Sequence, residues 1–76
     1  MSIATSNSVI PGNIKRIISE KGLKRSYVAT RIGVSPTTFS SMLNGRRLIL
    51  ISDTINIASA LGVPPADLFA TEETHE

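Results

Sequence analysis

The 76-residue chain reads as one all-α domain built from five short helices. Three observations lead there. Apolar residues recur at i, i+3 and i+4, the spacing of one helical face. A glycine closes each apolar run, at positions 22, 33, 45 and 62, as glycine does where a helix ends in positive φ. No segment alternates with the period of a half-buried strand; Val, Ile and Thr cluster, but at helical spacing between those stops.

Residues 1–12 are small and polar and end in Pro11-Gly12, which reads as a flexible N-terminal arm. A first helix then begins at Asn13, with Ile14, Ile17 and Ile18 on one face and Gly22 as its stop. Leu23 opens the second segment, whose stripe is Val28, Ala29 and Ile32 and whose stop is Gly33. Its start is poorly capped, because Lys24 stands where Ser, Thr or Asp is preferred. The third helix starts well: Ser35 is a capping residue and Pro36 suits the first helical position. Phe39, Met42 and Leu43 are its buried stripe, and Asn44-Gly45 ends it. A connector follows with two arginines, Arg46 and Arg47, and then four aliphatics, Leu48, Ile49, Leu50 and Ile51. Ser52 is expected to cap the fourth helix, with Asp53 near the positive end of its dipole. Ile55, Ala58 and Leu61 continue an apolar face to Gly62. Residues 64–69 read as a short fifth helix that lays Leu68 and Phe69 on the core, and residues 70–76 as a solvated acidic tail.

Composition narrows the function. A domain of this size buries a modest core, so helix packing and self-association are its routes to stability. There is no cysteine, which excludes a disulfide and a thiolate zinc site. The one histidine, His75, is a tail residue. No Ser/His/Asp set, metal-ligand spacing or phosphate-cradling glycine loop is present, so the reading is of a non-enzyme without cofactor, metal or evident small-molecule ligand. No apolar run approaches a membrane span and the first ten residues lack the features of a signal peptide, so a cytoplasmic protein is expected. The net charge of +2 hides an asymmetry. All eight basic residues lie between Lys15 and Arg47, where Glu20 is the one acid; Asp53, Asp67, Glu72, Glu73 and Glu76 follow. Such segregation suits a polyanionic partner on one face, although an ordinary solvated surface also fits it.

The residues Gly22-Leu23, Val28-Ala29, Ile32-Gly33-Val34-Ser35, Phe39, Asn44-Gly45 and Ile57-Ala58-Ser59-Ala60-Leu61-Gly62-Val63 stand at telling spacings. Together they resemble the phage Cro and lambda-repressor-like (XRE-like) helix-turn-helix family, over about residues 13–69. The resemblance implies a compact lambda-repressor-like domain with its helix-turn-helix at about 24–44. A small Ala29 lets two helices approach, Gly33 turns sharply between them, and Ile32, Val34 and Phe39 set the crossing. The helix of residues 35–43 then presents its outer face to the DNA major groove. Lys24 and Arg25, where the family touches phosphate, and Arg46 and Arg47, just after the third helix, are expected on the DNA backbone. Pro36, Thr37, Ser40 and Ser41 stand where the family reads bases and Asn44 where it meets the backbone again, and Ser35 is counted with them as a DNA-binding residue. The implied role is a sequence-specific transcriptional regulator of the phage or prophage repressor type, bound as a homodimer to a double-stranded operator.

Four departures from the family pattern matter. Arginine replaces the usual glutamine at position 25, which keeps or strengthens phosphate binding but removes an amide that buttresses the recognition helix. The reading face lacks the Gln, Asn and Arg side chains that make bidentate base contacts, so direct readout is expected to be thin. Leu48–Ile51 replaces a commonly basic, polar connector; it is expected either to form a subunit interface or to fold over the core. Finally, the family's arginine and acidic residue that pair between the first and third helices are here Ile18 and Leu43. An ion pair exchanged for an apolar contact predicts that both are buried and touch. A second reading stays open, in which the chain is a protein-interaction module using residues 48–51, with little or no DNA binding.

Overall fold

A computed structural model describes residues 2–69, with side chains from Val9 onward. Among these residues there are five helices and no strand: α1 (Ser2–Lys21), α2 (Arg25–Ile32), α3 (Pro36–Leu43), α4 (Ile51–Leu61) and α5 (Ala66–Phe69). α1 packs against α5 and α3, and α2 packs against α3 and α4. The core between them contains Ile14, Ile17, Ile18, Val28, Ala29, Phe39, Met42, Leu43, Ile57, Ala58, Leu61 and Leu68. The expected apolar stripes of the first three helices therefore meet at one centre. Ile18 and Leu43 are both buried in this cluster.

Four helices end in one way. The glycine N–H after the helix bonds a carbonyl three residues back, and the next N–H bonds one five residues back. Gly33, at φ 82°, does so between α2 and α3: its N–H donates to Thr30 O, and Val34 N–H donates to Ala29 O. This left-handed residue reverses the chain within the motif and needs no side chain to do it. After α1, α2 and α4 the residue following the glycine is Leu23, Val34 or Val63, each packed on the core. Apolar closure of the helix end accompanies this geometry.

The structure corrects the sequence reading at four places. The segment expected as an arm, residues 1–12, is helical from Ser2, and α1 runs through Pro11. Ile10 is buried and falls on the stripe of Ile14, Ile17 and Ile18. Burying such a side chain contributes about 1.5–3 kcal/mol, of the order that an interior proline costs. At α4 the cap position is Leu50, not Ser52. The Asp53 carboxylate accepts the Leu50 N–H at 3.0 Å, so a residue expected only to favour the dipole closes the helix start. Ile55 is exposed instead of continuing the buried face, which is carried by Thr54, Ile57, Ala58 and Leu61. Thr54 is tolerated there because its hydroxyl donates to Ile51 O at 2.6 Å. Finally, α5 is shorter than expected, and only Leu68 of its pair is buried; Phe69 stays 46% exposed. α5 is tied to α1 by Asn13 Nδ2, which donates to Leu68 O at 2.9 Å. The acidic tail 70–76 and His75 lie outside the described residues.

Candidate nucleic-acid interface

α3 is amphipathic by the arithmetic of 3.6 residues per turn. Phe39, Met42 and Leu43 share its buried side, which turns Thr37, Ser40, Ser41 and Asn44 the other way. Thr37 and Asn44 are exposed, and Ser40 and Ser41 are half-buried. The start of α3 follows its capping signal. Ser35 Oγ accepts the Thr38 N–H at 3.1 Å and donates to Thr38 Oγ1 at 3.0 Å. Ser35 is thus engaged within the helix at both its donor and an acceptor site, which subtracts from it as a DNA contact. Pro36 offers no N–H, so its exposed ring can give a groove only apolar contact.

The start of α2 is electrostatically odd. Lys24 occupies the cap position with no side-chain cap bond, and Arg25 opens the helix. Both are exposed, and the first turn holds no acidic residue. Cations at the positive end of a helix dipole are disfavoured by roughly 0.3–1 kcal/mol each. A bound polyanion offsets that cost, whereas nothing within the described fold does.

The end of α3 differs from the other three glycine stops. Gly45 N–H donates to Met42 O at 3.3 Å and Arg46 N–H to Ser41 O at 2.9 Å, the same geometry as elsewhere. The residue after the glycine, however, is an exposed arginine instead of a core aliphatic. The Arg47 N–H also donates to Ser41 O, at 3.3 Å. Two consecutive arginine amides are therefore anchored on the last turn of the exposed-faced helix while their guanidinium groups reach solvent. Here the dipole favours them. Other cations are engaged locally: Arg16 pairs with Glu20 at 3.1 Å on α1, and Arg31 lies 5.9 Å from the Tyr27 ring on α2. The Tyr27–Arg31 pair escaped the sequence reading, although its i, i+4 spacing was a legible signal.

Of the connector aliphatics, only Ile49 packs on the core. Leu48, Leu50 and Ile51 are 61%, 55% and 73% exposed, and Ile55 of α4 is exposed beside them in sequence. Leu50 and Ile51 face solvent because they form the cap and first residue of α4, whose buried side begins only at Thr54. Among the described residues no group of His, Cys, Asp and Glu is placed to hold a metal ion. No described helix is long and apolar enough to cross a membrane.

Comparison with known proteins agrees with this architecture. The family model described as "Helix-turn-helix domain" matches residues 14–70. The crystal structure of a hypothetical transcription factor, NHTF, from Neisseria superimposes with a TM-score of 0.81 at 25% identity, covering 90% of this chain and 78% of that one. No curated protein sequence matches the chain.

Proposed function

Since the chain belongs to the helix-turn-helix domain family, we propose that it is a sequence-specific transcriptional regulator of the phage or prophage repressor type, reading the major groove with α3. The observation that carries this reading is the pairing of α3's polar outward side with cations at two places where the fold itself does not need them: Lys24 and Arg25 at the start of α2, and Arg46 and Arg47 at the end of α3. Phosphate contacts from these four set register and affinity, with Asn44 meeting the backbone beside them, while base-edge contacts from Thr37, Ser40 and Ser41 supply the sequence preference. The hydroxyls make single hydrogen bonds and Thr37 offers a methyl to thymine, so each mismatch costs nearer ~1 than ~3 kcal/mol and DNA shape adds the rest. Similarity to a hypothetical transcription factor supports the regulatory part of the reading.

The working form proposed is a homodimer on a pseudo-palindrome, since one such domain covers one half-site. Exposure of Leu48, Leu50, Ile51 and Ile55 supports a self-complementary apolar contact. Selection of bound duplexes from a random pool, followed by titration over a range of NaCl, tests the reading. Paired half-sites about 10 bp apart and a linear fall of log K with log salt are expected. The same exposed aliphatics favour one competing reading, a protein-interaction module; absence of any duplex shift at low salt selects it and overturns DNA binding.

A further inference from the structure

A hollow of about 170 Å³ lies where α1, the end of α3 and the connector meet, lined by Ile10, Pro11, Met42, Gly45, Arg47, Leu48 and Ile49. Five of these side chains are apolar. Ile10, Pro11 and Met42 are buried, so its inner wall belongs to the folded core. Methionine at such a wall adapts to an irregular guest. Arg47 is the one charged residue among those lining the hollow; its side chain is exposed at the rim, and among the described residues no carboxylate pairs with it. The hollow exists because Ile10 is drawn onto the core, which brings Pro11 beside the end of α3.

We propose that this hollow binds a small monocarboxylate whose apolar body holds about six carbons, of the order that a volume of ~150 Å³ takes up, and that the ligand competes with DNA for Arg47. The five apolar side chains favour a ligand with an apolar body over a bare phosphate or acetate, which leaves nothing against them. Arg47 at the rim favours a carboxylate over a neutral hydrocarbon, which offers its planar fork no partner. Occupancy turns Arg47 toward the hollow and removes one phosphate contact. The competition rests on the DNA-binding reading, whereas the site itself does not.

The probe is benzoate, with benzyl alcohol as its uncharged counterpart and acetate as the anion without an apolar body. Each is titrated at constant ionic strength into the ¹⁵N-labelled full chain without DNA. Benzoate is expected to shift the Gly45, Leu48 and Ile49 amides saturably, with Kd on the order of millimolar. Benzyl alcohol and acetate are expected to bind about tenfold more weakly, and Arg47→Gln to reduce benzoate to the level of benzyl alcohol. Arg47 is exposed, so the variant keeps its fold. No saturable shift by about 50 mM benzoate overturns the site, as does benzyl alcohol binding as tightly. In the second arm, benzoate is expected to weaken binding to a fixed duplex relative to acetate at equal ionic strength. Unaltered DNA binding with a filled hollow overturns the competition. A chain that binds benzoate but no duplex overturns the DNA reading and leaves the site standing.

Discussion

Arg25 and Arg47 are exposed cations whose side chains the described fold does not use. Replacing either with alanine is expected to weaken binding to all duplexes about equally and to lower the salt slope by roughly one unit per lost phosphate contact. Anisotropy titrations on specific and scrambled duplexes check this; a changed sequence preference at unchanged affinity defeats the assignment. The Arg47 variant has a second consequence, because the same residue lines the hollow. Deep in the core, Ile18 and Leu43 stand where the resembled family keeps an ion pair, and both are buried in one cluster. Leu43→Glu alone is expected to cost about 3–5 kcal/mol, since it leaves a buried carboxylate without a partner. Adding Ile18→Arg is expected to recover part of that, and the recovered part is the coupling energy of the pair. Urea unfolding of both single variants and the double variant measures it. A double variant no more stable than Leu43→Glu shows that the two positions do not meet.

At the level of elements, each helix start and stop has its own chemistry, and α4 separates two of them. Ser52 is the expected cap by residue type, yet the bond that closes the start runs from Leu50 N–H to the Asp53 carboxylate. Asp53→Ala is therefore expected to cost about 1 kcal/mol, the usual value of a lost cap, and Ser52→Ala close to nothing. Thermal or urea unfolding of the two variants checks it, and a larger loss at Ser52 restores the cap to that residue. α3 is the opposite case. There Ser35 and Pro36 are read correctly from residue type alone, because a serine followed by proline fits the cap and first helical position and little else. α1 shows the limit of such local signals. Pro11-Gly12 is a stop by local propensity, and the burial of Ile10 overrides it.

At the scale of the whole molecule, the question is what covers the aliphatics left outside. Leu50→Lys and Ile51→Lys change exposed side chains, so they are expected to leave the monomer folded. They are expected to shift a wild-type dimer to monomer in sedimentation and to weaken binding to a paired half-site more than to a single one. A wild type that stays monomeric at high concentration, both free and on DNA, excludes the interface.

What the sequence determined by itself is local and periodic. The buried stripes of α1, α2 and α3, the four glycine stops, the Ser35 cap and the outward side of α3 all follow from 3.6-residue periodicity and from residues with few conformational uses. What only the tertiary structure decided depends on neighbours distant in the chain. Whether Ile10 joins the core depends on the space that α3 and the connector leave beside α1. Whether Ile49, and not Leu48 or Leu50, turns inward depends on where α4 begins its buried side. A run of four aliphatics carries no period that distinguishes its members, so packing alone assigns them. The hollow at Arg47 belongs to the same class: its lining joins residues 10 and 11 to residues 42–49, and no spacing in the chain announces that they meet.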